Sequence, residues 1–130
     1  MSLDETFFTR VGCMDGRVQI PTRKFGQKLF NAEYPDSIND AGIVGILAHN
    51  PSPEFLNDFK KKLDISLNHH HSKGILVYGH EDCAGNPVDE ETHKKDILDS
   101  VELIKKLKPG IKVIPAFVRR FGKGWKVELI

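Results

Sequence analysis

Hydrophobic residues along this chain fall into two periods. Phe55, Phe59, Leu63 and Leu67 recur every four residues, which predicts an amphipathic helix over 53–69. Ser52-Pro53 supplies its start, a serine cap followed by proline at the first helical position. Ile97, Val101, Ile104 and Leu107 predict a second helix over 89–107. Lys105, Lys106 and Lys108 complement the dipole at its carboxyl end, and Pro109-Gly110 stops it. Phe25 and Leu29 share a face in a third helix, opened by Pro21 and running to about Asn31. Ala41-Gly42 reads as a turn into a short apolar helix that ends near His49.

The remaining apolar runs have strand length. Residues 6–12 form a strand ending at Gly12, and residues 36–40 form a short one. Lys73 to Gly79 is a continuous apolar run, the pattern of a strand covered on both faces. Residues 111–118 form another, interrupted by Pro115, which points to a sheet edge or a strand end. Gly122-Lys123-Gly124 is a turn, and residues 125–130 return as a last strand hairpinned with the one before. The order β-α-β-α-α-β-α-β-β predicts an α/β domain, a mainly parallel sheet flanked by helices. Residues 1–130 read as one domain, with Met1-Ser2-Leu3 as a start or a tag remnant and 1–5 outside the fold. Ligands of such sheets bind beyond the carboxyl ends of the strands. Cys13 and His80 both lie there, each just past a predicted strand.

Composition narrows the partners. The 130 residues hold 19 lysines and arginines against 18 aspartates and glutamates, a formal charge of +1. That balance argues against a dedicated nucleic-acid binder. No apolar run is long enough to span a bilayer and no signal-peptide core is visible, so the expected compartment is the cytoplasm. Two cysteines exclude a disulfide scaffold and raise the question of why they stand where they do.

Both cysteines sit in short polar motifs. One is Cys13-Met14-Asp15-Gly16-Arg17; the other is Gly79-His80-Glu81-Asp82-Cys83. Two cysteines and a histidine are a zinc ligand set, with His-x-x-Cys gripping one ion from a single turn and Cys13 arriving from a second strand. Three protein ligands leave a fourth position for water, as in catalytic sites. Arg17 beside Asp15 keeps that carboxylate ionised and oriented. Asp15 could then accept a hydrogen bond at the metal or take the fourth position itself. Other readings compete. The cysteines could be inert buried residues or a redox pair, although Cys-x-x-Cys is absent. Asp15 and Arg17 could be a surface ion pair. A phosphate-binding loop from Cys13 to Arg17 is disfavoured, because the reach is short and Asp15 repels anions. Three consecutive histidines, His69 to His71, cannot face one ion from a helix, because neighbours diverge by about 100°; they read as a solvated helix end. His49 and His93 read as surface groups, and Glu90-Glu91 and Lys60-Lys61-Lys62 as solvated faces.

These motifs resemble those of the β-class carbonic anhydrases, whose pattern is Cys-x-Asp-x-Arg after the first strand and His-x-x-Cys after a later one. Cys13, Asp15, Arg17, His80 and Cys83 match it in order. Val18 and Pro21 are similar to the continuation into the family's first helix, Asp40-Ala41-Gly42 to its Asn-Ala-Gly turn, and the Gly-x-Gly hairpin to its last strands. The likeness runs from about residue 6 to the end. It does not include the amino-terminal helices with which family members wrap a partner subunit. The resemblance implies a zinc ion on Cys13, His80 and Cys83, and reversible hydration of carbon dioxide to bicarbonate by a zinc-bound hydroxide. It implies that Asp15 positions the hydroxide and Arg17 holds Asp15, with Asp40 and Gly42 at the rim. It also implies a homodimer or larger homo-oligomer, with residues 125–130 or 43–47 as candidate contacts. Two alternatives stay open: hydrolysis of a related linear molecule such as carbonyl sulfide or carbon disulfide, and a zinc protein without activity.

Overall fold

The computed structural model describes residues 5–130, so the Met1-Ser2-Leu3 expectation lies outside the described residues. The chain runs β1 (Phe7–Cys13), a 3-10 turn (Gly16–Val18), α1 (Gln19–Phe30), β2 (Tyr34–Asp40), α2 (Ile43–Ala48), α3 (Pro53–Asp64), a π-helical turn (Ile65–His69), β3 (Ile75–His80), α4 (Glu90–Leu107), β4 (Val113–Phe121) and β5 (Gly124–Leu129). The five strands form one mixed sheet in the order β2-β1-β3-β4-β5. The first four are parallel, and β5 returns antiparallel to β4. The predicted alternation of strands and helices is therefore the observed one.

Helices cover both faces, which is why β3 is buried at every position. On one face Val11, Val77 and Phe117 pack with Leu47 of α2, Leu63 of α3 and Ile97 of α4. On the other, Phe8, Leu76, Tyr78 and Val118 pack with Phe30 of α1, and Trp125 closes the edge. Ser52 caps α3 by accepting from the Phe55 N–H at 3.1 Å, and Asp89 caps α4 by accepting from the Thr92 N–H at 2.8 Å.

Several expectations shift. Pro21 does not open α1 but is its third residue; the first-turn N–H groups lack intrahelical partners, so proline is tolerated there. The predicted helix over 53–69 ends as α3 at Asp64 and continues as the wider π turn. In that stretch Ser66 donates to Asp36 and its hydroxyl meets Thr9 Oγ1, each at 2.7 Å. Among the three histidines, His69 and His71 are exposed as expected, whereas His70 is half-buried, stacked on Phe7 and 2.7 Å from Asp36. Pro115 marks no edge, since β4 lies between β3 and β5. The carbonyls of Lys112 and Val118 accept from Ile75 and Glu81, so even positions face β3. Pro115 faces the β5 side where that ladder runs out, and its missing N–H leaves nothing unpaired.

Candidate metal centre

The sheet order builds the site. Because β1 and β3 are neighbours, Cys13 at the end of one and His80 at the end of the other meet at the carboxyl rim. Cys83 follows in the next turn, where Asp82 takes a left-handed φ of 59°. All three are buried: Cys13 and Cys83 are 6% exposed and His80 is 0% exposed. Their ligand atoms lie within 4.8 Å of one another.

The donor set fits a zinc ion. The two sulfurs stand 3.8 Å apart and the cysteines are free. Two thiolates on one tetrahedral zinc, with Zn–S near 2.3 Å, stand about 3.8 Å apart. A disulfide would need about 2.0 Å. His80 Nδ1 donates to the Glu81 carbonyl at 2.7 Å, which fixes the ring and leaves the Nε2 lone pair free. That Nε2 is buried without a partner, a costly state unless something takes its lone pair. The sulfurs are unequal. Cys13 is drawn well below the usual thiol range by its contact with Cys83, helped by His80 and by the Gly42 N–H, which donates to its Sγ at 3.4 Å. Cys83 is pushed up by the same pairing and by burial. Burial opposes charge on His80, but the Cys13 sulfur, the Glu81 carbonyl and Asp15 together raise it.

The loop after Cys13 is pinned from several sides. Gln19 Nε2 donates to the carbonyls of Cys13 and Asp15 at 3.0 and 2.9 Å, and Tyr78 Oη donates to the Cys13 carbonyl at 3.2 Å. Asp15 Oδ2 then lies 4.0 Å from His80 Nε2. Arg17 grips this carboxylate through its backbone N–H, Nε and Nη2 at 2.9, 3.0 and 2.7 Å. These bonds lower the Asp15 pKa to about 2 and raise that of Arg17.

Gly42 reaches the cluster, and Asp40 does not. Asp40 pairs with Cys13 in the β1–β2 register, but its exposed carboxylate accepts from its own Ala41 N–H. The structure also adds residues that the motifs do not reveal. Asp82 accepts from Arg17 Nη1 at 3.1 Å and from Arg120 Nη2 at 3.0 Å. Asn86 joins the Cys83 carbonyl to the buried Asp96. His93, expected at the surface, is 3% exposed and lies on Gly79, where a Cβ would stand 2.4 Å from its Nε2. Position 93 continues the 97–101–104 stripe one turn earlier, a signal available in the sequence. A groove of about 910 Å³ between α1 and β5 includes Trp125 in its wall but none of the cluster residues.

A family profile described as "putative carbonic anhydrase" matches residues 3–130. The chain belongs to that family. Its fold is that of solved β-carbonic anhydrases. Isoform I of Trichomonas vaginalis superposes with a TM-score of 0.57 at 17% identity, covering 99% of this chain and 87% of that one. One of two tetrameric enzymes of the ascomycete Sordaria macrospora gives 0.54 at 12%, covering 88% and 76%. The carbonic anhydrase of Streptococcus mutans gives 0.53 at 21%, covering 85% and 75%. No sequence among curated proteins matches the chain significantly. Within this carbonic anhydrase family member, the Cys13, His80 and Cys83 cluster could hold a metal ion.

Proposed function

We propose that the chain catalyses reversible hydration of carbon dioxide to bicarbonate with a zinc ion held by Cys13, His80 and Cys83. The observation that carries this reading is the buried, unpartnered His80 Nε2 in a cluster with two free cysteines, in a chain of the carbonic anhydrase family. A zinc ion there supplies a Lewis acid that brings the pKa of a bound water toward about 7.

The chain's own groups supply the rest. His80 offers Nε2 because the Glu81 carbonyl holds Nδ1. Asp15 Oδ2 accepts a hydrogen from the attacking water and turns its lone pair toward the substrate carbon. With a pKa of about 2, Asp15 orients that water and does not take its proton, which departs to solvent at the rim. Arg17 sets the aim of Asp15. Its grip also opposes the alternative in which Asp15 fills the fourth position and closes the site. Carbonyl sulfide and carbon disulfide, linear like carbon dioxide, are the competing substrates.

Among the described residues no helix is long and apolar enough to cross a membrane. We place the protein in the cytoplasm, where its two thiols stay reduced. We read it as a homo-oligomer; one solved relative is tetrameric. Its contacts would use exposed Phe121 and Leu129 near the free edge of β5. Of the 43–47 segment, Ile43, Val44 and Leu47 are already buried in the core, which leaves the half-buried Ile46 as its apolar contact.

Stopped-flow hydration by zinc-loaded protein between about pH 7 and 9 tests the reaction. Acceleration that drops about 100-fold or more in Asp15→Asn supports it. No acceleration, or faster turnover of carbonyl sulfide, would overturn it. Sedimentation of a monomer at micromolar concentration would overturn the oligomer.

A further inference from the structure

The hairpin formed by β4 and β5 returns to the metal rim and places two side chains there. Arg120, near the end of β4, donates from Nη2 to Asp82 Oδ2 at 3.0 Å, and its backbone N–H donates to Glu81 Oε1 at 3.0 Å. Trp125, in β5, lies under both guanidiniums. The Arg17 guanidinium carbon is 4.9 Å from its ring centroid, and that of Arg120 is 4.7 Å. Arg17 shares the same acceptor, reaching Asp82 Oδ2 from Nη1 and the Asp82 carbonyl from Nη2, each at 3.1 Å.

Arg17 therefore has two sides. One side grips Asp15; the other is held by Asp82 and an aromatic face. An exposed arginine with a single carboxylate partner samples many rotamers, and such a pair holds its geometry weakly. A second carboxylate contact and a stacked ring remove much of that freedom. Like charges on Arg17 and Arg120 would repel, but Asp82 lies between them and the Trp125 ring offers its negative face to both.

We propose that Arg120 and Trp125 are positioning residues of the metal site: with Asp82 they clamp Arg17, and through Arg17 they set the aim of Asp15. Neither residue touches the cluster through a hydrogen bond, and neither belongs to the two motifs. The assignment rests on the proposed hydration reaction for its consequence, but not for its geometry.

Two readouts keep these separate. The first needs no turnover. In zinc-loaded protein labelled with nitrogen-15, the Arg17 Nε–H, which donates to Asp15, should give a resonance apart from those of solvated arginines. Arg120→Ala and Trp125→Leu should return it to the solvated position, while Trp125→Phe, which keeps an aromatic face, should leave it apart. Arg120→Lys keeps the charge opposite Asp82 without the stacking fork and covers the case in which Arg120→Ala fails to fold.

The second readout is kinetic. Misaiming a group near the reacting atoms can cost up to about 100-fold in rate. Arg120→Ala and Trp125→Leu should lower kcat by about 10-fold with KM within about twofold and the zinc content unchanged. Trp125→Phe should recover most of what Trp125→Leu loses. An Arg17 resonance that stays in place in Arg120→Ala, Arg120→Lys and Trp125→Leu would overturn the clamp. So would a moved resonance with unchanged kcat, since Arg17 would then not transmit to Asp15. Wild-type protein without hydration activity would instead refute the reaction, with the resonance still deciding whether the clamp exists.

Discussion

Gly42 and Gly85 touch backbone to backbone. A Cβ on Gly42 would stand 2.3 Å from the carbonyl carbon of Gly85, and a Cβ on Gly85 would stand 2.5 Å from that of Ala41. Gly42 also takes a φ of +59°, and its N–H donates to the Cys13 sulfur. This contact seats the loop after Cys83 against the start of α2.

Gly85→Ala meets only the clash and should cost about 1–3 kcal/mol. Gly42→Ala adds a left-handed penalty and should cost about 2–5 kcal/mol. Both should weaken zinc binding about tenfold or more through the displaced Cys13 and Cys83 loops. Urea midpoints and chelator competition measure the two effects. An unchanged midpoint for Gly85→Ala would show that the loops do not meet in solution.

Asp15 sets a pH window of its own. Hydrogen bonds from Arg17 lower its pKa from 3.8 to about 2. A depressed native pKa stabilises fully above the unfolded value and is lost as pH falls through the native one. The part of the stability gap between wild type and Asp15→Asn that comes from the Asp15 charge with Arg17 should therefore be present above about pH 4 and close between about pH 4 and 2. Denaturation curves at each pH report it. A gap that stayed open below about pH 2 would contradict the depressed Asp15 value, whereas a change at higher pH would report His80, which the Asp15 charge also raises.

The sequence discloses the cluster because its parts are short-range. His80 and Cys83 share one turn, and Cys13 ends a strand whose apolar run is visible. Bringing Cys13 to His80 needs only the parallel neighbours that alternating elements imply. Arg120 and Trp125 are not legible in the same way. They reach the rim only because β4 follows β3 in the sheet and β5 folds back on it, a matter of strand order and not of local pattern. Pro115 leaves an edge and a strand end open for the same reason: its missing N–H faces the point where the β5 ladder stops, and only the length of the partner strand selects the second reading. The π turn after α3 is hidden as well, since the four-residue stripe through Leu67 continues while Ser66 and His70 turn to Asp36.

Asp96 is the most buried carboxylate near the site, at 1% exposure. Its two oxygens take His49 Nε2 at 3.0 Å and Asn86 Nδ2 at 3.1 Å, and the Asn86 N–H donates to the Cys83 carbonyl at 3.3 Å. Asp96→Ala leaves the Asn86 amide unsatisfied and should cost about 1–3 kcal/mol. His49 is largely exposed, so His49→Ala should cost under about 1 kcal/mol. Equal losses in the two variants, read from thermal or urea unfolding, would contradict an inward-facing role for Asp96.

Metal binding should appear as stability, because a ligand that binds only the folded state stabilises it by mass action. Free zinc at about 1,000 times its dissociation constant adds about 4 kcal/mol, or roughly 10–20 °C in melting temperature for a chain of this size. Metal analysis should find one zinc per chain, and a chelator should reverse the shift. Cys83→Ser should abolish it. The shift should also shrink as pH falls, since the ligands must shed protons to bind. Asp15→Asn separates two geometries. If Asp15 only aims at the site, the variant keeps the zinc-induced shift and loses activity. If Asp15 fills the fourth position, it loses much of the shift as well, and the orienting role given to Arg17 falls with it.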